Sequence, residues 1–413
     1  MTRVTSDLGR PWPPPRLNKA ALRVADALKV DGPNTRARIG EITGMSRPTV
    51  SSAVAELSDR DLIENDSENG GPEQPIGRPA EVIRLSRRAG LVVGVDVGRR
   101  HIQVVLADLG HQEVDKMPTA SEKDDYVHPP DADTDPGRAL DKAAELVRSL
   151  IERNNSDLGE VIGVGLGIPA PITRDGVIGS STLLPSWANF EAGSAFATRL
   201  DAVPVFVDND ASLGALGEYV FGAGRERRGV IGSHEMTYVK VATGIGAGMV
   251  RDGHVHRGAG GTAGEIGHIT LDYKNETLCP CGNHGCLELY AGGEALLQKA
   301  RTRRPDLTGL ADLVNRAKTG DPFCESVIKD AGDYLGIALG TLVNLNSPDN
   351  IVIGGELSDA EEILLRRIRD KISGAAMPPA ANAVTISAAS LKSWSSAWGA
   401  AALVLKTTPP ADA

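Results

Sequence analysis

Three thiols stand within eight residues at Cys279-Pro280-Cys281-Gly282-Asn283-His284-Gly285-Cys286, with two glycines and a proline to fold the segment on itself. Thiolates packed this closely suit a soft divalent cation, and zinc takes four sulfur or nitrogen donors in a tetrahedron. The fourth donor must come from elsewhere. His268, in Gly264-Glu265-Ile266-Gly267-His268, is the better candidate. His284 competes from inside the loop, where it is hard to aim at an ion its neighbours already hold. Three reduced buried thiols or a redox pair are the alternatives, and cysteine density with glycines at the turns favours metal. Four protein donors leave no open position, so the expected ion is structural. Cys324 stands apart and reads as core.

A second set of residues suggests another chemistry. Val207-Asp208-Asn209-Asp210-Ala211 follows an apolar strand and precedes a helix starting near Ser212, which places it where open α/β sheets bind ligands. Asp210 could deprotonate a hydroxyl attacking a γ-phosphoryl group, and Asn209 could bind adjacent hydroxyls. The plain alternative is an Asx turn with Asp210 capping the helix. Glu265, His268 and Glu288 add two carboxylates and an imidazole around the cysteine loop, and such groups hold the vicinal hydroxyls of sugars. Thr243-Gly244-Ile245-Gly246-Ala247-Gly248 and Gly354-Gly355 could let phosphates or a nucleotide approach the backbone.

These groups need a scaffold of more than one core, and 413 residues imply two to three domains. There is no run of 18 apolar residues and no apolar signal core at the N-terminus, so a soluble, cytoplasmic protein with no membrane partner is expected. The net charge is −10, but residues 1–90 carry 14 Lys and Arg against 12 Asp and Glu. The acidic excess therefore lies behind the front end, where phosphate contact needs only a local basic face.

Residues 1–15, with four prolines, read as a disordered leader. Apolar residues then recur at helical spacing from Arg16 to Val30, and Asp31-Gly32-Pro33 stops that helix. A short helix spans Thr35–Thr43, and a third opens at Ser46-Arg47-Pro48-Thr49 with a good N-cap and a proline in its first turn. A strand at Leu62-Ile63, a polar turn and a returning strand at Glu81–Leu85 complete a winged helix-turn-helix. Ser46, Arg47, Thr49 and Ser52 would face a major groove, and Arg78 in Gly77-Arg78-Pro79 would suit a minor groove. A protein-interaction module or a structural cap is the alternative.

Beyond Gly90 the chain turns Val- and Gly-rich. Strands are expected at Leu91–Val97, Ile102–Leu109, Val161–Ile168, Val203–Val207, Tyr238–Ala242, Gly246–Val250 and Ile351–Ile353. Helices fall between them, as at Pro136–Asn154 and Asp330–Leu345, and 111–135 reads as a long loop. Apolar strands alternating with helices make an α/β fold whose sheet is covered on both faces. The segments Leu91–Leu109 and Tyr238–Val250 are both hairpins, an internal echo that suggests two similar lobes.

Taken together, Gly264–His268, the cysteine loop, Glu288 and Asn209-Asp210 closely resemble the ROK family of repressors, open reading frames and kinases, over residues 91 to about 405. The front module and Gly77-Arg78-Pro79 resemble its transcriptional-regulator branch. The resemblance implies a two-lobed actin-like (ribonuclease H-like, sugar-kinase) domain. Zinc would be bound by His268, Cys279, Cys281 and Cys286, and sugar by Asn209, Asp210, Glu265, His268 and Glu288. His268 would then touch both ion and sugar, so that the ion fixes the sugar site. The expected division is a winged helix over 16–88, lobes over 89–210 and 211–405, and a flexible tail over 406–413.

One departure bears on function. The family's kinases carry an Asp-x-Gly-Gly-Thr-type loop at the first phosphate hairpin, whereas this chain has Asp96-Val97-Gly98-Arg99-Arg100-His101. Asp96 and Gly98 keep the phosphate positions, but two arginines crowd the approach. The expected protein is a sugar-responsive regulator, a repressor in this reading, that binds operator DNA as a homodimer or homotetramer and takes a small sugar or phosphosugar effector. The alternative is a sugar kinase using ATP and Mg²⁺, with Asp210 as its base.

Overall fold

The structure is a computed structural model, and it describes residues 12, 17–66, 81–118, 134–173, 176–179, 184–225 and 235–408. The chain forms two compact units. The first comprises Met1–Gly167, Glu191–Val207 and Ala400–Ala413, and the second Ile168–Phe190 and Asp208–Gly399. Where one crossing near residue 210 was expected, the chain passes between the units repeatedly, and its last helix ends in the first.

The first unit opens with helix α1 (Lys19–Asp31), whose N-cap Asn18 accepts the Ala20 and Ala21 N–H groups. Strand β1 (Asn34–Thr35) leads into α2 (Arg36–Thr43), capped by Thr35, and α3 (Arg47–Ser58) follows from its cap Ser46. β2 (Ile63–Asn65) and β3 (Val82–Leu85) complete a sheet of order β1-β3-β2. Val24, Leu28, Ile39, Val50, Val54 and Leu57 close the small core between the three helices. Removing a Leu or Val side chain of this kind from water contributes about 1.5–3 kcal/mol. The two-residue β1 was not legible in the sequence, being too short for a period. Arg78 and the wing tip lie outside the described residues, as does the expected leader apart from Trp12, which is buried.

A five-stranded sheet follows in the same unit. It consists of β4 (Leu91–Val97), β5 (Ile102–Asp108), β6 (Glu113–Met117), β7 (Val161–Ile168) and β8 (Val205–Asn209), in the order β6-β5-β4-β7-β8. α4 (Pro136–Arg153) and α5 (Ala192–Arg199) accompany it. α4 starts where Asp135 caps Arg138 N–H and a proline occupies the first turn, and it buries Leu140, Val147 and Leu150 on one face. β6 corrects the expected loop over 111–135. Its Glu-Val-Asp-Lys-Met sequence is that of a charged edge strand, which lacks the apolar run that betrays a central one.

The second unit contains α6 (Asp210–Val220), β9 (Glu235–Val241), β10 (Ile245–Arg251) and β11 (His254–Val255). Then come α7 (Glu288–Ala291), α8 (Gly293–Arg301), α9 (Leu310–Lys318) and α10 (Pro322–Asn346). β12 (Asn350–Gly354), α11 (Glu362–Ala375), α12 (Pro378–Ala383), β13 (Thr385–Ala388) and α13 (Ser395–Thr407) finish the chain. Its sheet runs β11-β10-β9-β12-β13. Numbered along the chain, both large sheets read third, second, first, fourth, fifth, which is the internal echo of the two hairpins. In each, the first two strands pair antiparallel and the first and fourth parallel. Leu335, Leu339 and Val343 of α10 meet Leu364 and Ile368 of α11 in the main core cluster. No helix among the described residues is long and apolar enough to cross a membrane.

Candidate functional site

The second unit assembles the metal and carboxylate groups from three segments. Asn209 ends β8 and caps α6, its side-chain oxygen accepting Ala211 and Ser212 N–H at 3.0 Å each, while its Nδ2 donates to Ala170 O at 3.1 Å. The Asx-type cap foreseen as the plain alternative is thus present, made by Asn209 rather than Asp210. Asp210, only 8% exposed, opens the helix and accepts Ala211 N–H on Oδ1.

Gly264–His268 lies against β10. Ala247 N–H donates to Gly264 O at 2.9 Å, and a Cβ on Gly264, at φ +100°, would stand 2.0 Å from Ala247 O. Only glycine permits that approach, which sets Glu265 and His268 beside the strand. Glu288, at the start of α7, reaches back to accept Ile245 N–H at 2.9 Å. Burial raises the Glu265 carboxyl above its ordinary value; His268 opposes this, and the charges of Asp210 and Glu288 reinforce it. Asp210, His268 and Glu288 therefore lie within electrostatic reach of Glu265.

The cysteine loop is a small hairpin held by bridges between Thr270 and Cys286 and between Leu278 and His284. One ligand atom each from His268, Cys279, Cys281 and Cys286 falls within a mutual 4.8 Å. A tetrahedron with metal–sulfur bonds of about 2.3 Å has sulfur–sulfur edges of about 3.8 Å. Cys281 Sγ and Cys286 Sγ are 3.8 Å apart, and Cys279 Sγ is 3.7 Å from His268 Nδ1. The donor set fits zinc in both chemistry and size. Burial, then the neighbouring Cys279 and Cys281 sulfurs, push the Cys286 thiol up to about 12. His284 is exposed and outside the group. With Nδ1 turned to the sulfurs, His268 has Nε2 on its other edge.

Two participants went unread in the sequence. Lys240 Nζ donates to Asp210 Oδ2 at 2.8 Å and to Ser396 Oγ at 3.2 Å. Arg257 pairs with the buried Asp208 next to Asn209, its Nε at 2.9 Å. Lys240 left a trace, as a lone cation between Val239 and Val241 in an apolar strand; Arg257, in a polar loop, left none.

The glycines considered for phosphate have protein neighbours. A Cβ on Gly244 would meet Glu288 Oε2 at 2.5 Å, and one on Gly246 would meet Ala211 Cβ at 3.2 Å. Gly354 faces the Tyr238 ring and Gly355 faces Val241 O. Thr243 lies in the turn between β9 and β10. In the first unit, a Cβ on Gly98 would stand 2.3 Å from His101 Cε1, and His101 Nε2 is 3.0 Å from Asp96 Oδ2. The loop thus folds its own imidazole over Gly98 and onto Asp96.

Ser46, Arg47, Thr49 and Ser52 are all exposed on α3, while Val50, Ala53, Val54 and Leu57 are buried. Ser46 Oγ, which accepts the Thr49 N–H as the helix cap, also contacts Thr49 Oγ1 at 2.8 Å.

A three-helix module with a small sheet, followed by two sheets of one strand order, defines a winged helix joined to an actin-like, sugar-kinase fold. The chain belongs to the ROK family, whose model matches residues 92–407. The xylose repressor of Bacillus subtilis (strain 168) is 30% identical over 375 residues, 91% of this chain and 92% of that protein. The crystal structure of a ROK family transcriptional regulator, a homologue of the E. coli Mlc protein, shares the fold with a TM-score of 0.70 at 24% identity, covering 94% of this chain and 95% of its own. A ROK family glucokinase from Streptomyces griseus, solved with glucose and AMPPNP, gives a TM-score of 0.63 at 26% identity, covering 76% of this chain and 99% of its own.

Proposed function

We propose that this protein is a sugar-responsive transcriptional repressor. Its α1–α3 module binds operator DNA, and its second unit binds a small sugar or phosphosugar through Asn209, Asp210, Glu265, His268 and Glu288. The observation that carries the reading is the exposed first turn of α3 on a chain that a repressor matches over nine-tenths of both lengths. Ser46, Arg47, Thr49 and Ser52 would enter the major groove and Arg78 the minor groove. His268, Cys279, Cys281 and Cys286 would hold a structural zinc ion, which supplies a tetrahedral cross-link between the cysteine loop and the imidazole. The protein acts in the cytoplasm as a homodimer or homotetramer.

The polar groups divide the work. Asn209 and Asp210 sit at the positive end of α6, where backbone N–H groups fix their oxygens. Glu265 and Glu288 accept hydrogen bonds from hydroxyls, and His268 Nε2 offers a further polar contact. Binding of purified protein to upstream DNA, with and without a sugar panel, tests the reading. No DNA affinity in low salt would end it.

A sugar kinase is the second reading, favoured by the likeness to a glucokinase and by Asp210 at the strand end. Two contacts weigh against it. Asp96 is paired with His101 and Asp210 with Lys240, each within its own unit. In the first hairpin the His101 ring stands over Gly98, a place a phosphate-binding turn would keep open. Release of ADP that depends on sugar and disappears in Asp210→Asn would reverse the preference.

A further inference from the structure

α13 has unusual partners at its two ends. In the second unit, Ser396 of its first turn accepts from Lys240, whose ammonium also binds Asp210. Ser395 Oγ donates to Glu218 Oε1 at 2.8 Å, and that wholly buried carboxylate also accepts Ser390 and Leu391 N–H. Behind these contacts the helix lies against α6 without side chains between them. A Cβ on Gly399 would stand 1.7 Å from Leu213 O, and one on Gly217 would stand 2.2 Å from Ser395 O. Trp398, one residue earlier, packs on Phe221 with ring centroids 4.7 Å apart. Backbone in contact with backbone has no rotamers to absorb a shift, so α6 and the start of α13 must move together.

In the first unit the same helix ends on the N-terminal module. Lys29, at the end of α1 and fully buried, donates to Thr408 O. Its own carbonyl oxygen accepts from the ring of His111, which follows β5, at 2.7 Å. Asp26, at 2.8 Å, balances the Lys29 charge, and the Trp12 ring lies 5.7 Å from the ammonium. A buried ammonium costs stability unless every partner stays in place, so this clasp tolerates little displacement of the helix end.

We propose that α13 is the coupling element between effector and DNA: occupancy of Asp210 is read through Lys240 and Ser396 at its first turn and delivered to α1 through Lys29 and the carbonyl oxygen of Thr408, the residue just past its last. The inference rests on the reading that sugar binds at Asp210. Hydroxyls that take over Asp210 Oδ2 compete with Lys240, which changes the hold on Ser396, and the tight α6 crossing carries the change along the helix axis. α1 packs on α3, so a shift at Lys29 reorients the exposed first turn of α3.

The test uses the full-length protein, a duplex selected by the wild type from a random pool, and D-xylose, D-glucose and D-glucose 6-phosphate as probes. Anisotropy gives the DNA Kd with and without saturating sugar; calorimetry gives the sugar Kd with and without DNA. The two ratios must be equal, since coupling is reciprocal. In Ser396→Ala and Lys29→Met both ratios fall toward one, from about fivefold or more in the wild type. The sugar Kd without DNA and the DNA Kd without sugar stay within about threefold of wild type. Retention of the wild-type ratio by Ser396→Ala overturns the proposal, even if Lys29→Met fails to fold. Loss of sugar binding itself in Ser396→Ala also overturns it, since the serine would then belong to the site. A wild-type ratio of one with every sugar sinks the effector reading first, and the coupling with it.

Discussion

Lys240 Nζ lies 2.8 Å from Asp210 Oδ2, on a strand otherwise apolar at that point, and both side chains are nearly covered. Each carboxylate oxygen has two acceptor positions, so one contact on each still leaves room for a ligand hydroxyl. Here Oδ1 holds the Ala211 N–H and Oδ2 holds an ammonium, so the residue is arranged to accept hydrogen bonds and keep its place.

Replacing Asp210 with Asn should therefore weaken sugar binding without removing a catalytic activity. A hydrogen bond to a charged group contributes about 1.5–3 kcal/mol, roughly a ten- to hundredfold change in Kd by calorimetry. The wild type should release no ADP above background with any of the same sugars.

Cys286→Ser should lower the metal content from one ion per chain toward none, measured by elemental analysis after preparation without chelators. The loop then loses its cross-link, and sugar affinity falls about tenfold or more as His268 loses its fixed orientation. A metal-free wild type that melts and binds sugar like the loaded protein would remove the zinc centre from this account.

Arg47→Ala should weaken DNA binding by about 1–3 kcal/mol. If the guanidinium meets a phosphate, the slope of log Kd against log salt shrinks by about one; if it meets a base edge, preference between the selected and a scrambled duplex narrows instead. An unchanged isotherm on both duplexes would take Arg47 off the interface.

Asp321 caps α10 and pairs with Arg304, whose hydrogen bond, ahead of the Cys324 and Phe323 N–H groups, draws its carboxyl down to about 2. A depressed carboxyl stabilises the fold above its unfolded value near 3.8 and ceases to as pH falls through about 2. Asn also caps helices, so Asp321→Asn isolates the charge. Its deficit in denaturant midpoint should be present at pH 7 and close as the pH falls from 4 toward 2. A deficit that does not vary with pH would mean the pair contributes nothing electrostatic.

Much of the site could be read because its parts are short and chemically marked. Cysteines three to an eight-residue stretch, or carboxylates flanked by glycines, stand out against any background. The strands around them were legible where apolar runs were unbroken, as in β4 and β7. β6 was missed because an edge strand faces solvent and its charged residues look like loop. Asn209, not Asp210, caps α6, a choice that depends on one residue of phase where β8 hands over to the helix.

By itself, then, the sequence determined the chemistry on offer: four donors that could hold a metal ion, a group of carboxylates and an imidazole of the kind proposed to bind hydroxyls, and a helix whose first turn is polar. Local patterning decides such things, since donor types and periodicity need no knowledge of distant segments. Tertiary structure alone decided which groups meet. It brought Lys240 onto Asp210, thirty residues away, and Ser396 onto Lys240, 156 residues away. It also seated the end of α13 on Lys29, 379 residues away. Pairings at that separation arise from how strands and helices pack, and no periodicity along the chain encodes them.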